Sequence, residues 1–104
     1  KNVSSYNYSD DATKEAMKSI YNYNGYIAEP HGAVGYLGLK KELEKSPNAI
    51  GIFLETAHPI KFLDIVEPVL NVSLPIPTQI ESVLGKEKKS IKIKTYEELK
   101  KFLG

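Results

Sequence analysis

The pattern of apolar and polar positions divides the chain into helix-length stretches separated by short punctuated links. Residues 1–9 are polar and tyrosine-bearing and read as an extended lead-in. From Asp10 onward apolar residues stack at a spacing of four, Ala16 over Ile20 and Met17 over Tyr21, as on one helix face. Asp10 and Asp11 suit a helix N-terminus, where free amides and the dipole favour negative charge. Gly25 is a terminator, so the first helix is predicted over 10–24. Pro30 biases Glu29 away from helical geometry and itself fits the first turn of a new helix. That second helix is predicted over 31–45, with Val34, Tyr36, Leu37 and Leu43 as its apolar stripe. Its first half holds Gly32, Gly35 and Gly38, and glycine costs a helix up to roughly 1 kcal/mol each against alanine. Close approach by another backbone or by a ligand is the physical reason to accept that cost.

Ser46-Pro47-Asn48 breaks the pattern. Ala49–Leu54 then forms a continuous apolar run with β-branched Ile50 and Ile52, which reads as a buried strand of the parallel type. A helix is expected from Pro59 or Ile60 to Val66, with Phe62, Ile65 and Val66 on its apolar face and Pro68 ending or kinking it. Leu74-Pro75-Ile76-Pro77 cannot be a central strand, because two prolines remove two donors. Thr78-x-x-Glu81 and Thr95-x-x-Glu98 are capping-box patterns ahead of apolar runs. Between them Ile91-Lys92-Ile93-Lys94 alternates as a short half-exposed strand. The predicted order is helix, helix, strand, helix, helix, strand, helix. This is α/β organisation, helices around a small and mostly incomplete sheet. It forms one unit over 1–104, with 1–9 as lead-in, 10–70 as a helix-helix-strand-helix part and 71–104 as a helix-strand-helix part.

Composition narrows the function classes. With 104 residues there is enough chain for one small core. Net charge is +1 and all 14 basic residues are lysines, which disfavours nucleic acid as a partner. There are no cysteines, so disulfides, thiolate chemistry and most structural zinc sites are excluded. No apolar run is long enough to span a bilayer. Asn2-Val3-Ser4, Asn7-Tyr8-Ser9 and Asn71-Val72-Ser73 match the glycosylation acceptor, but no secretory signal accompanies them, and a cytoplasmic setting is expected. The absence of an initiator Met hints that the chain derives from something longer. Seven tyrosines, five of them within residues 6–26, form a band suited to burial against a partner or inside a parent protein.

Four residues are candidates for chemistry. Thr56 and His58 leave the C-terminal end of the best strand candidate, where ligands collect in open α/β sheets. A hydroxyl there can bond a heteroaromatic nitrogen, and an imidazole can move a proton near neutrality. Equally, Thr56 can cap the following turn and His58 can satisfy a carbonyl. Glu29 and His31 sit at the start of the second helix. The carboxylate can cap free amides there, or the same amides can receive an anionic ligand. No metal-ligand spacing links His31 and His58, the two histidines.

Glu29-Pro30-His31-Gly32-Ala33-Val34-Gly35-Tyr36 and Gly51-Ile52-Phe53-Leu54-Glu55-Thr56-Ala57-His58-Pro59-Ile60-Lys61-Phe62 together resemble the C-terminal part of threonine synthases. The resemblance implies a fold-type II pyridoxal-phosphate enzyme that converts O-phosphohomoserine and water to threonine and phosphate. It implies that Thr56 partners the cofactor's pyridine nitrogen, and that Glu29, His31 and His58 line or brace the cofactor side of the cleft. It also implies that the cofactor-linking lysine, the substrate-binding basic residues and the phosphate-binding loop lie upstream. Lys61 has no matching context for the linking role. The partner implied is the N-terminal remainder of the same enzyme. Position 55 is Glu where the family often has Ala. Serine and threonine dehydratases commonly carry Glu-Pro-Ser-Gly where this chain has Glu-Pro-His-Gly, so His31 favours the synthase. A free-standing α/β binding or regulatory module is the reading from a different class.

Overall fold

A computed structural model describes residues 3–104. Lys1 and Asn2, the first two residues of the expected lead-in and the start of the Asn2-Val3-Ser4 triplet, lie outside the described residues. The described chain forms five α-helices. They are α1 (Asp10–Asn24), α2 (Pro30–Lys45), α3 (Leu63–Leu70), α4 (Thr78–Leu84) and α5 (Tyr96–Leu103), with a 3-10 turn at Pro59–Phe62 leading into α3.

Local chemistry explains most of the boundaries. Ser9 caps α1, its hydroxyl accepting from the Ala12 amide at 3.2 Å, and Asp10 and Asp11 occupy the first turn. Gly25 ends α1 in the left-handed conformation at φ 65°, its amide donating to the Tyr21 carbonyl at 2.8 Å. Pro30 opens α2 directly after the cap residue Glu29. Thr95 and Glu98 form the full reciprocal capping box at the start of α5. The pattern at Thr78 does not. Pro77 takes the cap position and Thr78 becomes the first helical residue, so no side chain caps α4. The proline-set φ of −60° explains this, since it leads the chain from an extended link straight into the helix. Pro68 lies inside α3, which ends two residues later at Leu70 and is followed by Asn71, a left-handed cap at φ 53°.

The core is small. α1 packs on α2 and α3, and Ala16, Met17, Ala33, Val66 and Leu70 make a buried cluster between them. The lead-in lies along α2, where the Tyr8 hydroxyl donates to the Leu37 carbonyl at 3.1 Å and the Tyr6 hydroxyl meets Glu42 and Lys45. Of the three glycines of α2, Gly32 has the close approach that excludes a side chain, from the Glu55 carboxyl, whereas Gly35 and Gly38 face Phe53 and Tyr6 at distances that would admit a Cβ. Gly51 lies against Leu39, where an added Cβ would come within 2.6 Å of the side chain.

The α/β expectation does not hold, because the described residues contain helices and no strand. Residues 49–54 and 91–94, both read as strands, are single extended segments without a ladder partner. Period-two alternation reports an extended backbone with two unlike faces. A strand needs a second backbone as well, and no described segment offers one. The run over 49–54 was also expected to be buried, yet Ile50 is 95% exposed and Ile52 82%.

The surface is large for the mass. A compact monomer of 11.6 kDa exposes about 5,800 Å², whereas this chain exposes 8684 Å². Its radius of gyration is 18.2 Å, against about 13 Å for a compact chain of this length. α4 and α5 bury none of their residues. Among the described residues no helix is long and apolar enough to cross a membrane.

These contrasts predict where truncation matters in the isolated chain. Met17→Ala, in the centre of the core, is expected to destabilise by about 2–5 kcal/mol. Leu103→Ala, on the exposed face of α5, should change stability by less than about 0.5 kcal/mol. Urea unfolding of the two variants checks both values.

Candidate functional site

The site begins at the start of α2. Glu29 has an extended backbone, and its side chain turns back over the first turn of the helix. One carboxylate oxygen accepts from the Gly32 amide at 2.8 Å. The other accepts from the His31 amide at 3.0 Å and lies 2.7 Å from His31 Nδ1. Glu29 is fully buried, yet three donors converge on it. Burial pushes its carboxyl up, but the bonds from His31 and from the His31 and Gly32 amides outweigh that and hold it below the usual range. With Glu29 ionised, His31 donates from Nδ1 and its Nε2 is the free nitrogen. The His31 ring packs 5.2 Å from Phe62 of the 3-10 turn.

The second part is the extended segment over residues 50–58. Its exposure alternates residue by residue. Gly51, Phe53, Glu55 and Ala57 turn inward, while Ile50, Ile52, Leu54, Thr56 and His58 are exposed. Phe53 meets Tyr36 edge-on, with ring centroids 5.8 Å apart. Glu55 reaches the start of α2, where its Oε1 accepts from the Glu29 amide at 2.8 Å. Its Oε2 is buried and has no hydrogen-bond partner among the described residues. Burial, and secondarily the Glu29 charge, push the Glu55 carboxyl above the usual range, against the pull of the Glu29 amide. His58 caps the 3-10 turn, its Nδ1 accepting from the Ile60 amide at 3.1 Å, which leaves the proton on Nε2.

Thr56 and His58 come together on the wall of one shallow hollow of about 480 Å³, with Tyr26, Glu55 and Lys61 around it. Glu29 lies behind this wall, joined to it through Glu55. His31 stays with Glu29, outside the lining of the hollow. The amides at the start of α2 are taken by Glu29, so its capping role is the one seen. Burial first, then the Glu55 and Glu29 charges, raise the Tyr26 hydroxyl. Tyr26, Glu55 and Lys61 are the neighbours that sequence reasoning missed. Glu55 stood out only as a departure from the family pattern, and Tyr26 only as part of the tyrosine band within residues 6–26. Among the described residues no cluster of His, Asp and Glu is arranged to hold a metal ion.

A family model described as "Threonine synthase, C-terminal" matches residues 32–103. The chain belongs to the threonine synthase family. It is 44% identical over 73 residues to a threonine synthase of Haemophilus influenzae, covering 70% of this chain and 16% of that protein. It is 38% identical over 96 residues to one of Buchnera aphidicola subsp. Baizongia pistaciae, covering 91% of this chain and 22% of that protein. A threonine synthase of Escherichia coli is 39% identical over 71 residues, or 68% of this chain and 16% of that protein. The chain thus spans about a fifth or less of the threonine synthases it matches. No solved structure matches it significantly. Thr56 and His58 fall inside the matched threonine synthase region, while Glu29 and His31 precede its first residue.

Glu29 carries a stability prediction with a definite sign. A carboxyl held below its ordinary value adds stability above that value, which is lost as pH falls through the lowered one. Glu29→Gln keeps the shape and removes the charge, and is expected to cost about 1–3 kcal/mol near neutral pH. Thermal unfolding of the isolated chain from neutral to acidic pH should show the gap to wild type closing in the acid range.

Proposed function

We propose that this chain is the C-terminal portion of an enzyme that converts O-phosphohomoserine and water to L-threonine and phosphate with pyridoxal phosphate. Family membership supports the reaction. The observation that carries the local assignment is the shared hollow of Thr56 and His58, which puts a hydroxyl and an imidazole side by side, with Lys61 in the same lining. When bound, pyridoxal phosphate supplies an electron sink for carbanion chemistry on the amino acid.

The residues present fit a heteroaromatic ring with a lone pair on its nitrogen. Thr56 is exposed at the hollow, and its hydroxyl can donate to such a nitrogen while leaving it uncharged. His58 keeps an Nε2 donor, its Nδ1 being fixed by the Ile60 amide. Glu29 and His31 brace the wall from behind, and the Glu29 carboxylate uses the α2 amides that would otherwise receive a phosphate. The cofactor's phosphate and its linking lysine are therefore assigned to the remainder of the enzyme. The exposed apolar side chains of Ile50, Ile52 and Leu54 are proposed to pack on that remainder, whose cover also accounts for the large free surface.

Two measurements test this. Thr56→Val in the full-length enzyme is expected to weaken pyridoxal phosphate about tenfold, the equivalent of one lost hydrogen bond, with the apo-enzyme melting temperature unchanged. Equal affinity would remove Thr56 from the cofactor site. The isolated chain, given pyridoxal phosphate, should develop no saturable one-to-one band at about 410–430 nm, the absorbance of lysine-bound cofactor. Such a band, beyond the imines that exposed lysines form with any aldehyde, would place the linking lysine among these residues.

A further inference from the structure

We infer that Glu55 is a positioning residue, a carboxyl clamp that holds the Thr56 segment against the start of α2. The inference rests on the proposed cofactor contact of Thr56. Glu55 faces inward from an extended segment whose next residue faces the hollow, so whatever fixes Glu55 sets the place of Thr56. Its Oε1 accepts the Glu29 amide at 2.8 Å, the one contact joining this segment to the capping residue by a hydrogen bond.

The distribution of donors decides which acid carries charge. Glu29 collects two amides and the His31 ring, whereas Glu55 collects one amide and buries its second oxygen without a partner among the described residues. Two neighbouring carboxylates with little water between them do not both ionise readily. The donor-rich one keeps the charge, and Glu55 takes the proton. Tyr26, Glu29 and His31 are the titratable groups that face it, and His58 and Lys61 line the hollow on its other side. None of them provides a second donor to Glu55.

Gly32 completes the device. The Glu55 carboxyl occupies the space that a Cβ at Gly32 would need. Gly32 and Glu55 are therefore a matched pair, and a methyl group at position 32 displaces the clamp without touching its chemistry. The pH sense follows from the buried carboxyl, which binds its proton more tightly when clamped than when free. The clamp is complete below the ordinary carboxyl range and loosens as pH rises through the raised value.

The test uses the full-length enzyme with E55Q, E55A, G32A, the G32A/E55A double variant and T56V. Pyridoxal phosphate affinity is followed by fluorescence from about pH 5 to about pH 8, with apo-enzyme melting temperatures alongside. E55Q, the neutral isostere, is expected to bind within about twofold of wild type at the acid end and increasingly better than wild type as pH rises. E55A should bind about tenfold more weakly at the acid end. G32A should weaken binding and melting to a similar degree alone and add nothing in the E55A background. A wild-type to E55Q ratio that stays flat with pH, or a G32A effect equal in both backgrounds, overturns the clamp. Weakened binding in T56V with none in E55A also overturns it. Unchanged binding in T56V defeats the cofactor assignment itself, and melting coupled between positions 32 and 55 distinguishes that failure from failure of the clamp.

Discussion

The buried carboxylate of Glu29 is the constraint on which the rest of the site depends. It satisfies two amides at the start of α2 and one ring nitrogen of His31, and its own amide goes to Glu55. One residue thereby joins the α1–α2 link, the helix it caps and the extended segment that carries Thr56. Through His31 and Phe62 the connection continues into the 3-10 turn ahead of α3. A charged acceptor makes each such bond stronger than a neutral one, about 1.5–3 kcal/mol against about 1. An alanine here would strand amides in a place with no water-facing alternative.

Helices were largely legible because their ends carry chemistry in single residues. Asp10 and Asp11, Gly25, Pro30 and the Thr95–Glu98 box each act within one turn. The sheet was misread for a related reason. The β-branched apolar run over 49–54 and the alternation over 91–94 favour an extended backbone, and both segments are extended, but pairing is a property of two segments and no single segment encodes it. Thr78 shows the limit of a motif, since Pro77 already supplied the entry geometry. In the candidate site, Thr56 and His58 were visible from their place after an apolar run. Glu55 was not; it follows the apolar run directly and stood out only where the family often has Ala. Its role is visible only beside Gly32, whose missing Cβ leaves the carboxyl its space. Those two positions are 23 residues apart in sequence, and nothing local connects them.

The large surface is the counterpart of the small core. Ala16, Met17, Ala33, Val66 and Leu70 hold three helices together. Apolar side chains at Ile50, Ile52, Leu54 and Leu103 remain exposed. Apolar groups in water are unfavourable by about 25 cal/mol per Å², so a chain that leaves this many uncovered gains by packing against another surface. The inward half of the 50–58 segment is fixed by this chain alone, whereas the outward half is an open face. Thr56 and His58 belong to that open face. Their surroundings would be completed by whatever covers Ile50, Ile52 and Leu54.

That division also sorts the chemistry by charge. On the inner side the α2 amides and His31 meet the Glu29 charge, and burial pushes the Glu55 carboxyl above its ordinary range. On the outer side the contacts offered are the Thr56 hydroxyl and the His58 imidazole, with the Lys61 ammonium in the same lining. A helix N-terminus attracts anions, but this one has its own, so a phosphate arriving at the hollow would find no free amides at α2 and a carboxylate behind the wall. The start of α2 is thus closed to an anionic group, while the Thr56 hydroxyl remains open to the uncharged edge of a heteroaromatic ring and Lys61 stands in the same lining. Under the proposed assignment, Thr56 would meet the ring of a cofactor that carries both, and residues other than the α2 amides would hold its phosphate.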